Sequence, residues 1–332
     1  MKHHKPIASL SFDVDNQWSY MKTHGDSGWK DFPSYLDIVV PRVLTFLKER
    51  NLTITFFIVG QDVALQKNHA AIRMITEAGH EIGNHSFYHE PWLQKYTEEQ
   101  IETDLQMAER LIIELTGQKP KGFRGPGYSL SETALKVLAR QGYTYDASTL
   151  PTFIGPLARM YYFMRSKFSI DEQEERDLLF GTWRDGLRSI RPYRWRMDGN
   201  GESGDGLIEI PVTTMPFFKV PFHVSYLLFL TNYSRQLAML YFKFALLLCH
   251  LSGTHPSLLI HPLDFLGCDD IQELNFFPAM NITHREKIKM VRDFIDIYIN
   301  QYCVVSLHEH ALAASQSSHF PSIKPSFSTT RT

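Results

Sequence analysis

The chain has 332 residues, 43% of them hydrophobic and 21% charged, and a formal net charge of −2. That length and apolar content suffice for one large core or two ordinary ones, and the near-neutral balance gives no reason to expect nucleic acid or another polyanion as a partner. Cys249, Cys268 and Cys303 stand at no metal-binding or redox spacing, which argues for a reducing compartment and against a disulfide framework. Residues 1–5 are basic but no apolar stretch follows, so no signal peptide is read and the expectation is residence in the cytoplasm.

Taken in order, Ile7 to Phe12 alternates like a strand and ends in Asp13-Val14-Asp15-Asn16. A Gly-, Ser-, Asp- and Trp-rich loop is expected over 17–34. Leu36, Val39, Val40, Val43, Leu44 and Leu47 then recur at a helical period. Thr53 to Val59 is β-branched and aromatic, closed by Gly60, and predicts a buried strand. Residues 69–78 predict a helix stopped by Gly79, and His80 to Ile82 a short strand that leads into His85 and His89. Thr97 with Gln100 has the form of a capping box, and the helix it starts continues to Gly117. Lys121 to Arg124 is extended before Gly-Pro-Gly, Ser131 caps another helix, and Tyr143 to Tyr145 is extended again. Such alternation predicts an α/β fold with a parallel sheet or barrel, whose chemistry sits at the carboxyl ends of the strands.

Residues 151–206 break that rhythm and read as a partly helical insertion. Leu207 to Val212 restores a strand. Two apolar segments follow within 215–251, each near 15 residues and interrupted by Lys219 or Lys243, short of the about 20 residues that cross a bilayer. Leu258 to Ile260 delivers His261, a helix runs around Ile288 to Tyr298, and Cys303 to Leu307 is a last strand. The Ser/Thr/Pro-rich end, 313–332, is expected to be disordered.

His85 and His89 lie four residues apart, about one helical turn, so both imidazoles can address one divalent metal. They read equally as surface or hydrogen-bonded histidines. Asp13 and Asp15 read as ordinary turn residues or as a ligand and a base; His261 reads as a buried, satisfied histidine or as part of the same rim; Arg124 reads as a structural ion pair. The segment lacks the glutamate of a His-Glu-x-x-His helix, which argues against that protease class. What favours a site is that Asp15, His85, His89, a second carboxylate, a histidine and an arginine all fall at strand ends of one domain.

These stretches together resemble the polysaccharide deacetylases, the NodB-homology group of metal-dependent carbohydrate deacetylases. Ser11-Phe12-Asp13-Val14-Asp15 is similar to the family's first motif, His85 to His89 to its His-Ser/Thr-x-x-His motif, and Phe123-Arg124-Gly125-Pro126-Gly127 to its third. Tyr145 to Ser148 and Leu259-Ile260-His261 resemble the fourth and fifth, and Thr55 to Gly60 the second strand. The resemblance implies a distorted (β/α)7 barrel over 1–312, with a mostly helical insertion. It implies Asp15, His85 and His89 as metal ligands, Asp13 as general base held ionised by Arg124, and His261 as general acid oriented by Asp146. A backbone N–H near Gly127 or Tyr128 would bind the oxyanion. Zinc is the expected ion, with cobalt, nickel or iron fitting the same donors.

The implied reaction is hydrolysis of an N-acetyl or other N-acyl group on an amino sugar of a glycan, glycolipid or lipid-linked sugar. A small-molecule amidohydrolase acting on a cyclic amide or ureide stays open, as does a non-catalytic carbohydrate-binding protein. With cytoplasmic residence expected, segments 215–251 read either as buried barrel helices or as a peripheral contact with the cytoplasmic face of the membrane beside a lipid-linked substrate.

Overall fold

In a computed structural model of the chain, which describes residues 5–154, 183–197 and 206–327, strand β1 (Ile7–Asp13) is buried from Ala8 onward and runs through the centre of the core. Its neighbours on one side, in order, are β2 (Thr55–Ile58), β3 (Glu81–Asn84), β4 (Gly122–Phe123) and β5 (Tyr145–Asp146), all parallel. Next in sequence is β6 (Tyr193–Trp195), but β5 pairs instead with β7 (Ile208–Glu209), again in parallel. On the other side of β1 lies β8 (Ser257–Ile260), and the start of β1 pairs in parallel with the short β9 (Cys303–Val305). These seven parallel strands, β1 to β5 with β7 and β8, curl into an incomplete barrel. The gap between β7 and β8 is bridged just beyond β7, where the Thr213 amide donates to the Ser257 carbonyl at 3.0 Å and the Ser257 amide to the Thr213 hydroxyl at 2.8 Å.

Helices cover the outside, as a both-faces-buried parallel sheet requires. They are α1 (Gln17–His24), α2 (Leu36–Lys48), the short α3 (Gly60–Ala64), α4 (His69–Glu77), α5 (Glu98–Thr116), α6 (Glu132–Arg140), α7 (Val224–Thr231), α8 (Arg235–Ser252), α9 (His284–Gln301) and α10 (Leu307–Ser315). The expected α2 stripe of Leu36, Val39, Val40, Val43 and Leu47 is buried against β1 and β2. The Thr97–Gln100 capping box starts α5, and Gly117 ends it at φ 71°. Ser131 caps α6 by accepting from the Ala134 amide.

Three expectations change. Residues 17–34 are not an open loop: Asn16 caps α1 and Asp26 caps a 3-10 turn at Ser27–Asp31. These side-chain caps satisfy amides that a polar composition alone leaves uncounted. Most of the insertion expected over 151–206 lies outside the described residues, yet its Arg/Trp-rich part supplies β6, antiparallel to β7. The tail from 313 also has structure as far as 327: α10 runs to Ser315, and β10 (Ser322–Ile323) pairs in parallel with β6. Phe327 packs on Trp195 at 6.0 Å between ring centroids and lies under the Arg188 guanidinium. A few aromatic contacts anchor a stretch whose composition is that of a coil.

Strand register decides what meets at the rim. Phe12 pairs with Ile260, which places Asp13 level with His261; Asn84, Phe123, Asp146 and Glu209 lie in one row across β3, β4, β5 and β7.

Candidate metal centre

Asp15, His85 and His89 converge. Their ligand atoms lie within 4.8 Å of one another, with Asp15 Oδ1 at 3.2 Å from His85 Nε2 and 2.9 Å from His89 Nε2. His85 is buried, and its Nδ1–H donates to the Arg124 carbonyl at 2.6 Å. That bond turns the lone pair of Nε2 toward Asp15. Two imidazole nitrogens facing one carboxylate oxygen need a cation among them. Burial lowers the His85 pKa, but the Asp15 hydrogen bond and the Asp13 and Asp15 charges raise it overall. Burial likewise opposes ionisation of Asp15, while His89 and His85 hold its carboxyl well below the usual range. One carboxylate and two imidazoles, with His85 and Asp15 each held by a second bond, to Arg124 and Tyr20 respectively, are a donor set that fits a divalent metal.

The histidine pair is not brought together by a helical turn, as its spacing suggested. Residues 85–90 form a bend in which Ser86 (φ 67°) and His89 (φ 54°) are both left-handed. Non-glycine residues hold that conformation only where their surroundings over-determine it. Asp104 of α5 provides this, accepting from the amides of Phe87 at 2.9 Å and Tyr88 at 3.1 Å and from the Ser86 hydroxyl at 3.3 Å. Ser86 Oγ in turn accepts from the His89 amide at 3.2 Å. A second buried acid, Asp62, accepts from Asn16 (2.7 Å), the Trp18 indole (2.9 Å) and Asn68 (3.0 Å). Trp18 lies edge-on to His89 at 6.3 Å, so Asp62 braces the residues behind both ends of the ligand set. Burial pushes Asp62 up to about 7. Tyr20 adds a hydroxyl at 3.2 Å from Asp15 Oδ2.

Asp13 faces the other way along the rim. Its Oδ1 accepts from Arg124 Nη1 at 2.6 Å, and its Oδ2 is 3.9 Å from His261 Nε2. Arg124 is fully buried, donates also to Ser11 Oγ and the Ala147 carbonyl, both at 2.9 Å, and stacks over Phe57. A buried guanidinium paired in this way fixes the carboxylate in place and matches its charge.

Two expected partners are elsewhere. Asp146 was expected to orient His261, but the Ser225 hydroxyl holds His261 Nδ1, at 2.9 Å, and Asp264 accepts from the His261 amide at 2.8 Å. Asp146 instead accepts from the Ser148 hydroxyl at 2.6 Å and is hydrogen-bonded to Glu209, its neighbour in register. Burial and the Asp146 charge push the Glu209 pKa well up. The backbone N–H of Tyr128, expected as an oxyanion donor, donates to the Gly125 carbonyl at 2.9 Å. Gly127 precedes it at φ 57°, where a Cβ would stand 3.0 Å from Pro91.

Sequence reasoning missed Asp62, Asp104, Glu209, Ser225 and His223. The first two carry a readable signal: a carboxylate at core spacing, as Asp104 stands among Ile101, Leu105 and Ala108. Ser225 and His223 carry none, because α7 reads as purely apolar. The His223 ring centroid is 6.2 Å from that of His261, and burial with the field of His261 pushes its pKa down to about 3, so it is a neutral wall of the cleft.

Residues 18–145 match the model of the polysaccharide deacetylase family. That stretch holds His85, His89 and Arg124 but not the two β1 aspartates or His261, which the fold brings to them. Among curated relatives, a peptidoglycan deacetylase of Helicobacter pylori is 30% identical over 43% of this chain and 50% of its own length. The peptidoglycan-N-acetylmuramic acid deacetylase PdaA of Bacillus subtilis is 38% identical over 31% of this chain and 38% of its own. The chain thus spans half or less of these relatives. A solved structure from Mycobacterium smegmatis, described as a polysaccharide deacetylase, shares the fold with a TM-score of 0.62 and 21% identity, covering 98% of this chain and 97% of its own. The PuuE allantoinase shares it with a TM-score of 0.57 and 17% identity over 96% and 93%.

Cytoplasmic residence is corrected by these relatives. They are named for peptidoglycan, a polymer assembled outside the cytoplasmic membrane. The expectation leaned on a missing apolar stretch after Lys5, and a missing stretch does not locate a substrate. No described helix is long and apolar enough to cross a membrane.

Proposed function

We propose that the chain is a polysaccharide deacetylase, as the match of residues 18–145 to that family's model and the similarity to peptidoglycan deacetylases support, and that it hydrolyses an N-acyl group, acetyl being the simplest, on an amino sugar of a glycan or lipid-linked glycan. The carrying observation is the convergence of Asp15, His85 and His89 beside an Arg124-paired Asp13 that lies 3.9 Å from His261. Asp15, His85 and His89 would hold the cation, and zinc suits one carboxylate and two imidazoles best. When bound, such a cation polarises a carbonyl and acidifies water.

The chain's own residues supply the proton traffic. Asp13, held in place by Arg124, takes a proton from the attacking water. His261, held by Ser225, gives one to the departing amine, without which the tetrahedral adduct expels the attacking oxygen and the carbon–nitrogen bond stays intact. Gly127 and Tyr128 would border the acyl group, and a backbone N–H near them would donate to the developing oxyanion. His223 and Tyr20 offer uncharged polar atoms to sugar hydroxyls.

The test is release of acetate from N-acetylglucosamine oligomers, free and lipid-linked, before and after chelation and zinc add-back. Activity should vanish with the chelator and return with the metal. Asp13→Asn should keep the metal while kcat falls about 10²- to 10⁴-fold. Turnover of cyclic ureides with no acetate release, or acetate release indifferent to chelator, would overturn the reading.

A further inference from the structure

The helices next to His261 present an apolar face that the catalytic reading does not use. Along α8, Leu237 (65% exposed), Leu240 (64%), Phe244 (44%), Leu247 (49%) and Leu251 (69%) form one stripe. The opposite face, with Ala238, Phe242, Ala245, Leu246 and Cys249, is buried in the core. The expectations of buried barrel helix and external contact each describe one side of the same helix. The exposed stripe is about 21 Å long, from 14 residues at 1.5 Å each.

A second element extends it. Met215 and Val220 close a tight hairpin in which Phe217 (φ 70°) and Lys219 (φ 50°) are both left-handed. Lys219 Nζ is tied down by the carbonyls of Gly186 and Arg188, both at 2.6 Å. This strained and anchored turn holds Phe217 at 75% and Phe218 at 58% exposure. Phe218 meets Phe244 at 6.4 Å between centroids, joining the hairpin tip to the stripe. Scattered exposed apolar side chains are ordinary; a contiguous strip held out by backbone strain is not.

Charge identifies the occupant. From residue 210 to residue 263 the sequence contains no Asp or Glu, although the whole chain has 36 of them. Lys243 stands exposed within the stripe, and His250 flanks its far end. A second copy laid antiparallel would set Lys243 against Lys243 near the middle of the 18-residue helix, which itself carries no Asp or Glu; Asp293 of α9 pairs with Arg235 at its start. A polysaccharide offers leucine nothing to bury into. A bilayer with anionic headgroups suits both features, taking the leucines and phenylalanines below the headgroups while the lysine reaches up to phosphate.

We propose that α8 and the 215–220 hairpin form a docking face for an anionic lipid surface, with α8 lying in its plane. Helix α7, whose Ser225 holds His261, leads directly into α8, so docking would set the cleft beside the surface.

Flotation of the full chain with vesicles tests this without any turnover, so its failure is separate from failure of the deacylase reading. Wild-type protein should float with phosphatidylcholine vesicles containing about one third phosphatidylglycerol, and much less with phosphatidylcholine alone. Leu240→Gln with Leu247→Gln should cut binding more than about tenfold. Lys243→Glu should cut it about tenfold on anionic vesicles only. These positions are exposed, so the variants should melt like wild type. No flotation, or flotation unchanged in the leucine variant, would overturn the proposal. So would a dimer that the leucine variant converts to a monomer, which would assign the face to a second copy.

Discussion

The described residues hold two clusters of nearly the same composition: Asp15 with His85 and His89, and Asp269 and Asp270 with His284. Listing side chains would rank them together; their surroundings separate them. Asp270 puts both carboxylate oxygens on Arg42, at 2.7 and 2.9 Å, and also accepts from the Gly267 amide. Asp269 accepts from the amide and ring of His284, at 2.8 and 2.7 Å, at the start of α9. Its negative charge is already matched by a guanidinium and a helix N-terminus, and Asp269 is exposed. At the strand ends the donors are buried, two imidazole nitrogens aim at one oxygen, and Arg124 is spent on Asp13 instead of Asp15. A metal centre is thus told by what is left unmatched at its middle, not by its residue list.

Removing one acid from each cluster gives the largest expected contrast. Asp15→Ala should lower zinc affinity more than about 100-fold, since loss of an outer partner alone costs about 10–100-fold, and acetate release should go with it. Asp269→Ala should leave metal content and activity within about twofold. Calorimetric zinc titration and elemental analysis of both variants check this, and equal losses would erase the distinction.

A smaller effect is expected behind the ligands. Asp104→Asn keeps the shape but offers an N–H where the Phe87 or Tyr88 amide needs an acceptor. The left-handed bend at Ser86 and His89 should loosen, with zinc affinity down about 10-fold and stability down about 1–3 kcal/mol. Denaturant melts with and without zinc separate the two quantities.

The smallest concerns pH. Glu209 is raised by burial and by Asp146, and Asp146 is itself raised by burial. Groups whose folded pKa lies above the unfolded value bind more protons when folded, so stability is fullest at acid pH and falls as pH rises above the unfolded carboxylate pKa toward the raised one. The slope is roughly 1.4 kcal/mol per pH unit for one proton. Glu209→Gln should flatten part of that decline above pH 5, at the cost of one of the bonds from Thr149 or Trp195. Parallel denaturation curves from pH 5 to 9 for both proteins test it; identical slopes would place the titration elsewhere.

Local chemistry was legible in the residues themselves. Alternating strands, helical stripes, the Thr97 capping box and polar residues at strand ends depend on neighbours a few positions away, and each appeared where its pattern put it. Asp13, Asp15, His85, His89, Arg124 and His261 could be named because each stands at the end of a strand or in the loop just after it, and parallel strands present those ends to one rim. Composition misled where long-range contacts decide: a coil-like tail became β10 through Phe327 and Trp195, and a polar loop became α1 through Asn16 and Asp62.

Only the tertiary structure decided which carboxylate does which work. Asp13 ends β1 and Asp15 stands two residues beyond it, and nothing local tells them apart. Strand register sets Asp13 level with His261 and within reach of Arg124, while the strained bend after β3 carries both imidazoles to Asp15. Charges and lone pairs act over a few ångströms in space, and partners 46, 74 and 111 residues away along the chain supply them.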